Sequence, residues 1–294
     1  MPTTRLVLAL LLSSLGAAAC APAQAPTATG NAAAPFDVII TGGRVVDGSG
    51  APWFSADVGI KGDRIAAIGK LYDQPATRRI DATGQVVAPG FIDMLGQSEL
   101  NVLIDGRAAS KITQGVTTEL TGEGNSIAPL NDRLFNDSKA VFRRYDLTLD
   151  FRTIGEYLRR LQTTSRIALN LGTFVGAGGL RAYVVGDGQR EATPAELAQM
   201  QELVASAMEE GALGLSTSLQ YVPSRFASTE ELVALASVAA QHGGIYISHQ
   251  RSESGQIDAS LDEVACDADR LFHAGAGRFG GHGEGLGKRT SKGN

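Results

Sequence analysis

The stretch that decides the fold covers residues 85–99 and reads QVVAPGFIDMLGQSE. Its apolar run is interrupted by Pro89 and Gly90 and restarts at Phe91. Proline fixes φ and lacks a backbone N–H donor, while glycine adopts conformations closed to other residues, so this pair separates two strands. Before the pair the sequence alternates like a half-exposed sheet, and after it the sequence follows strand-then-helix units. We therefore predict a boundary here between a small β domain and an α/β barrel.

Residues 36–88 carry short strand-like runs separated by turn residues, which predicts a small, incomplete β domain built as a β-meander. The runs are residues 37–40, 44–46, 56–60 and 64–68, and the turns between them are 41–43, 47–50 and 61–63. Because so small a sheet cannot bury both of its faces alone, we expect it to form part of a β-sandwich.

Residues 89–264 follow the pattern of a parallel sheet with helices between its strands. The predicted strands are 91–94, 116–120, 168–175, 213–216 and 245–248, and the predicted helices are 107–114, 153–162, one starting at 193 and one starting at 228. The last two helices begin with capping boxes, at residues 193–196 and 228–231. About five βα units of this kind predict an α/β fold that forms a partial TIM-like (β/α) barrel.

The first twenty residues predict a signal peptide: a positive start, an apolar run at 6–15 and small residues before Cys20. The apolar run is too short to span a bilayer. Two interpretations stay open, a lipoprotein cleavage site that leaves Cys20 acylated, or an ordinary cleavage that discards Cys20. We favour the first, which predicts an exported protein, periplasmic or anchored by lipid to the cell envelope. Residues 21–35, rich in Ala, Pro and Thr, then predict a flexible tether.

Composition excludes some classes of partner. The chain has 294 residues, 43% of them hydrophobic, and a net charge of −5, so it has no basic footprint for nucleic acid. Contact with a membrane is expected only through a lipid anchor.

Cys20 and Cys266 are the only cysteines, so no internal disulfide can form if Cys20 is lipidated or removed.

After about Val264 the composition changes: residues 275–294 contain 8 glycines, and residues 274–294 follow neither a strand nor a helix period. We therefore separate residues 265–294 from the rest. One interpretation is a flexible interaction tail. The other, which we favour, is that the reading frame shifts near residue 265 and the remaining sequence is out of frame.

Several separated motifs resemble a known family. VVAPGFIDM (86–94), preceded by DVIITGGRVVDGSG (37–50) and DRIAAIG (63–69), resembles the opening of the amidohydrolase superfamily of metal-dependent hydrolases. The run GALGLSTSLQYVPSRFASTEELVALASVAAQHGGIYISHQRSE (211–253) resembles the N-acyl-D-amino-acid deacylase branch. The resemblance covers residues 36–264. It implies hydrolysis of a non-peptide C–N amide bond in an N-acyl amino acid, with zinc as the cofactor.

The resemblance implies a metal site at the carboxyl ends of the strands, although this site departs from the family pattern. Where the family has His-x-His after the first strand, this chain has Leu95, Gly96 and Gln97, which argues against a two-metal site. Glu123 lies at or beside the position of the family's bridging cysteine, and His249 matches a ligand histidine. We therefore expect His249 and Glu123 to bind a single divalent ion.

The resemblance also implies residues that bind the substrate or support the metal site. The candidates for substrate binding are Arg181, Tyr221 and Arg251, of which Arg181 and Tyr221 are expected on loops at the strand ends. A guanidinium suits the carboxylate of an N-acyl amino acid. Possible supporting residues are Asp93, Gln97, Glu99 and Glu253.

The resemblance places the general-base aspartate and a second imidazole ligand beyond Asn294, since proteins of this family are nearly twice as long. We therefore expect this chain to be the front part of an enzyme, to bind zinc weakly or not at all, and to be inactive by itself. The alternative is a non-catalytic envelope lipoprotein that binds its ligand on an amidohydrolase-derived fold. A cyclic-amide hydrolase is a third possibility, because the β domain and the opening of the barrel are shared.

Overall fold

The computed structural model describes residues 35–186 and 188–273. The signal peptide, Cys20 and the tether up to residue 34 lie outside the described residues, as do residues 274–294. The chain divides into two compact units, one ending at Ala88 and the other beginning at Pro89. The division therefore falls at the Pro-Gly pair that interrupts the apolar run.

The first unit consists of one sheet in the part that the structure describes. Strand order is β3-β2-β1-β4, and β5 also pairs with β1. The pairs β1–β2 and β2–β3 are antiparallel, whereas β4 and β5 lie parallel to β1. The strands are β1 (Phe36–Val45), β2 (Phe54–Lys61), β3 (Arg64–Gly69), β4 (Ala76–Asp81) and β5 (Val86–Val87).

The predicted β-meander is wrong in two respects. Residues 41–43 do not form a turn, because β1 continues through them with a register shift between Ile40 and Gly43. Gly42 takes the positive φ of +73° at this irregularity, a conformation that suits glycine within a bulge. The pairing is also mixed, since β4 and β5 return parallel to β1.

The second unit contains two parallel three-stranded sheets in its described residues, ordered β6-β7-β8 and β11-β10-β9. Only Phe174 separates β8 from β9, so this one segment pairs with β7 on one side and β10 on the other. The α/β class is thus confirmed, and the consecutive parallel order is consistent with part of a barrel. The strands are β6 (Phe91–Asp93), β7 (Val116–Thr121), β8 (Asn170–Thr173), β9 (Val175–Gly176), β10 (Gly214–Ser218) and β11 (Ile245–His249).

Helices connect these strands. They are α1 (Asn101–Ile104), α2 (Ala109–Ile112), α3 (Asp132–Arg144), α4 (Ile154–Arg160) with a π turn (Leu161–Ser165), α5 (Ala177–Val184), α6 (Pro194–Glu209), a 3₁₀ turn (Ser224–Phe226), α7 (Thr229–Gln241) and α8 (Ile257–His273). None of the helices in the described residues is both long and apolar enough to cross a membrane.

The structure tests the two capping boxes predicted at the starts of α6 and α7. At α6 the predicted capping box is confirmed, because the Thr193 and Glu196 side chains each accept from the other's backbone N–H. At α7 the Ser228 side chain caps the helix, but Glu231 turns away from the cap and pairs with Arg181. Helix α8 extends to His273, so residues 265–273 of the expected tail lie within it; the origin of the segment 265–294 stays a prediction.

Two apolar clusters support the strands. The larger lies between the sheet and helices α5, α6 and α7, and the smaller contains an aromatic group in which Phe151 packs on Phe142 and Tyr157 at ring-centroid distances of 5.8 and 5.3 Å. Fully buried members of the larger cluster include Val175, Leu180, Met200, Leu215 and Leu235. Because both clusters pack beneath or beside the strands, the strand ends remain available for polar side chains.

Candidate active site

The two predicted metal ligands lie together at the carboxyl ends of the strands. His249 is the last residue of β11, and Glu123 follows β7. The His249 Nδ1 atom lies 2.7 Å from Glu123 Oε1, and the two side chains are 21% and 12% exposed. A nitrogen and a carboxylate oxygen from strands distant in sequence therefore meet in a partly buried position.

The loop that carries Glu123 is held by a strand that the sequence analysis did not connect with it. The Ser216 hydroxyl of β10 accepts from the Gly124 N–H at 3.0 Å and donates to the Gly122 carbonyl. Gly124 has φ +64°, and a Cβ there would lie 2.2 Å from the Ser218 Cβ. Glycine is thus required at position 124, where the loop crosses β10.

Three of the predicted neighbours surround the pair. Gln97 Nε2 donates to Glu123 Oε2 at 3.2 Å. Glu253 Oε1 lies 3.4 Å from His249 Nε2, and the Tyr221 ring meets the His249 ring edge-on with centroids 5.6 Å apart. Gln97 therefore fixes one carboxylate oxygen of Glu123, and the other oxygen faces the imidazole.

The donor chemistry fits a divalent metal, but the number of ligands is small. Imidazole nitrogen and carboxylate oxygen are both zinc ligands, and catalytic zinc sites normally have three protein ligands. In the part of the chain that the structure describes, no group of three or more His, Cys, Asp or Glu residues is placed to hold a metal ion. Among the described residues, His249 and Glu123 thus bring together two of the three donors that such a site would need.

A second charged cluster, Asp93, Lys111 and Glu119, lies at the ends of β6 and β7. Lys111 Nζ is 2.5 Å from Asp93 Oδ2 and 3.3 Å from Glu119 Oε1. Glu119 is fully buried, and neither of its carboxylate oxygens accepts a hydrogen bond from the described residues. Sequence reasoning missed Lys111 and Glu119; the available signal was an acid inside the predicted strand 116–120.

Asp93 and Glu99, predicted as supporting residues, contact this cluster and the loop rather than His249. The hydrogen bond from Lys111 lowers the pKa of Asp93. Glu99 Oε1 accepts from the Gly122 N–H at 2.9 Å, and burial, reinforced by the charge of Glu119, raises the pKa of Glu99. Both acids therefore help to position the strand ends and the start of the Glu123 loop.

The placement of Arg181 on a loop is wrong. Arg181 lies within α5, and its side chain is 0% exposed. Its guanidinium pairs with Glu231 at 2.5 Å and donates to the Arg190 carbonyl. A buried guanidinium committed to these partners ties α5 to α7 and does not reach the strand ends.

Arg251 lies near the site, but its guanidinium is engaged in internal contacts. Its Nε and Nη2 atoms donate to the two carboxylate oxygens of Glu263 at 3.0 and 2.8 Å. The same guanidinium donates to the carbonyls of Arg225 and Ala227. Arg251 thus fastens the end of β11 to α8.

Sequence comparison identifies D-aminoacylase and deacylase enzymes as relatives of this chain. D-aminoacylase from Alcaligenes xylosoxydans xylosoxydans is 42% identical over 239 residues, which cover 78% of this chain and 47% of that protein. N-acyl-D-glutamate deacylase from the same organism is 39% identical over 232 residues, 78% of this chain and 46% of that protein. This chain is homologous to the N-acyl-D-amino-acid deacylases. It spans about half the length of these curated relatives, and no protein-family model matches it.

Solved deacylase structures share the fold. A crystal structure of D-aminoacylase superimposes with a TM-score of 0.72 at 39% identity, covering 81% of this chain and 50% of that chain. N-acyl-D-glutamate deacylase from Bordetella bronchiseptica, solved with zinc and a phosphonate mimic of the tetrahedral intermediate, gives 0.71 at 36% identity, covering 80% and 49%. The homologous deacylases thus include a zinc-bound enzyme.

Proposed function

We propose that the protein is a metal-dependent amidohydrolase that cleaves an N-acyl-D-amino acid into a carboxylic acid and a free amino acid. The observation that carries this proposal is the 2.7 Å contact between His249 Nδ1 and Glu123 Oε1 at the strand ends. The homology to deacylases supports the reaction class. Because the chain spans about half of its curated relatives, the activity and the substrate of the whole protein belong to this proposal.

In this proposal His249 and Glu123 hold one divalent ion, with zinc as the best match to a nitrogen and a carboxylate donor. Zinc bound by these residues would polarise the scissile carbonyl and lower the pKa of its bound water. Gln97 keeps one oxygen of Glu123 in place by its hydrogen bond. Leu95 and Gln97 stand where the family has histidines, which supports one metal ion rather than two.

Tyr221 is proposed to contact the substrate. Its side chain is 57% exposed, and its ring edge lies against His249. The ring therefore restricts rotation of the imidazole. No hydrogen bond joins the phenol hydroxyl to a described residue, so the hydroxyl can donate to an acyl or carboxylate oxygen. Glu253, near His249 Nε2, is proposed to orient the imidazole.

Metal binding tests this proposal directly. Purified chain is treated with chelator, dialysed, and titrated with ZnCl₂ by calorimetry. Because two ligands are fewer than the usual three, we expect weak binding of no more than one equivalent, lost in His249→Ala and in Glu123→Ala.

The matched control is His242→Ala. His242 caps the end of α7, where its Nδ1 lies 2.9 Å from the Val238 carbonyl, so this variant should bind zinc like the wild type. Equal binding by His249→Ala and wild type would contradict the assignment of the ligand. Release of amino acid by the whole protein from N-acetyl-D-leucine, compared with N-acetyl-L-leucine, tests the reaction.

A non-catalytic binding protein is the second candidate. Two observations favour it. Leu95 and Gln97 stand at the positions where the family has histidines, and the described residues contain few metal donors. If the whole protein binds N-acyl amino acids without zinc and releases no product from them, this candidate is supported over the enzyme.

We also propose two finer features. Large apolar side chains of the first unit, such as Ile65 and Val86, are exposed, which supports a second layer that would complete a β-sandwich.

Export with lipidation at Cys20 is proposed from the apolar run at residues 6–15. Mass spectrometry of Cys20 in membrane fractions, with Cys20→Ser as the control, tests the lipid anchor.

A further inference from the structure

A polar cavity of about 330 Å³ adjoins the candidate active site. Two of its lining residues connect it to that site, because Gln220 directly precedes Tyr221 and Glu253 lies 3.4 Å from His249 Nε2. Apart from Leu219, every lining residue is polar. The lining consists of Leu219, Gln220, Arg225, Arg251, Ser252, Glu253, Ser254 and Gln256.

The charges around this cavity are unequally compensated. The Arg251 guanidinium is neutralised by the two oxygens of Glu263, which also accepts from the Thr229 hydroxyl at 3.0 Å. The Glu253 carboxylate faces the His249 imidazole. Of the charged residues that line the cavity, this leaves Arg225 to be considered.

The backbone of Arg225 is fixed, but its guanidinium is not engaged. The Arg225 N–H donates to the Tyr221 carbonyl at 2.8 Å, and the Arg225 carbonyl accepts from Arg251 Nη1 at 2.8 Å. Among the described residues, none forms a hydrogen bond or an ion pair with the Arg225 side chain. The residue is thus anchored between two site residues and presents an exposed, uncompensated cation to the cavity.

We propose that Arg225 binds a carboxylate of the ligand. A guanidinium holds a carboxylate through two parallel N–H···O bonds, which gives both charge and orientation. Arg181 is buried and Arg251 is bound to Glu263, so among the arginines that line this cavity in the described residues, Arg225 has the guanidinium that can do so. That the ligand is an N-acyl amino acid rests on the proposed function. Its carboxylate is either the α-carboxylate or that of an acidic side chain.

Calorimetric titration of the zinc-supplemented full chain with three probes tests this proposal and separates the two carboxylates. N-acetyl-D-leucine carries only the α-carboxylate, N-acetyl-D-isoglutamine carries only the side-chain carboxylate, and N-acetyl-D-leucinamide carries neither. We expect the wild type to bind one of the two acids at least about tenfold more tightly than the amide. The Arg225→Gln variant should lose this preference, and Arg225→Lys should retain part of it.

Arg144→Gln, which removes an exposed arginine at the end of α3, is the matched control and should keep the preference. Far-UV circular dichroism confirms that each variant is folded. If Arg225→Gln still prefers the acid, the role of Arg225 is overturned while the proposed function stands. If the wild type binds none of the three probes, both are overturned.

Discussion

Lys111 is the residue whose replacement tests the charged cluster most directly. Its ammonium lies between Asp93, at 2.5 Å, and the fully buried Glu119, at 3.3 Å. A Lys111→Met variant keeps an unbranched apolar stem but removes the charge and its donors. Glu119 would then be left in the interior with no cation beside it among the described residues, and Asp93 would lose the hydrogen bond that lowers its pKa.

The expected loss of stability follows from the burial of the three groups. Removing one partner of a buried ion pair costs about 3–5 kcal/mol, because the remaining charge is uncompensated. Lys111 and Asp93 retain 22% and 27% exposure, so water reaches part of the cluster. We therefore expect a loss near the lower limit, about 3 kcal/mol. With a urea m-value of about 2–3 kcal/mol/M, the unfolding midpoint should fall by about 1 M.

Urea unfolding followed by far-UV circular dichroism measures this change. The control is the Lys111→Met/Glu119→Gln double variant, in which the buried charge is removed together with its partner. This double variant should recover part of the stability that Lys111→Met loses, since the main cost is the unpaired carboxylate. A Lys111→Met chain within about 0.5 kcal/mol of wild type, or a double variant less stable than the single one, would refute the reasoning.

Three further variants probe other parts of the site. Burial raises the pKa of Glu99 above its ordinary 4.5, so the folded protein holds this proton more tightly than the unfolded chain does. The free energy of unfolding of the wild type should therefore fall as pH rises above about 4.5. Glu99→Gln should show a weaker dependence of the unfolding free energy on pH, measured by urea unfolding at several pH values. Ser216→Ala should cost about 1–3 kcal/mol in the same assay by leaving the Gly124 N–H without its acceptor; unchanged stability would show that Ser216 does not hold the loop. Arg181→Met should destabilise by about 3–5 kcal/mol, because it leaves Glu231 buried without its cation; a loss below about 1 kcal/mol would contradict a structural role.

Features that depend on neighbouring residues could be predicted from the sequence. The Pro89-Gly90 interruption, the strand that ends at His249 and the capping box at Thr193 each follow from local backbone chemistry and side-chain periodicity. His249 and Glu123 could also be placed near each other, because the carboxyl ends of parallel strands share one edge. Their 2.7 Å contact depends in addition on the loop that Ser216 holds.

The tertiary structure alone decided which charged side chains are available. Sequence reasoning treated Arg181 and Arg251 as substrate residues, because a guanidinium near a strand end suits a carboxylate. Both are instead bound by acids on helices, Arg181 by Glu231 of α7 and Arg251 by Glu263 of α8. Arg225 received no attention, although it lies in the same motif. An ion pair depends on where a distant acid arrives in space, and no periodicity in the chain records that distance. The sequence by itself thus determined the succession of strands and helices in the second unit and the residue types at the strand ends, whereas packing decided which of those groups can meet a ligand.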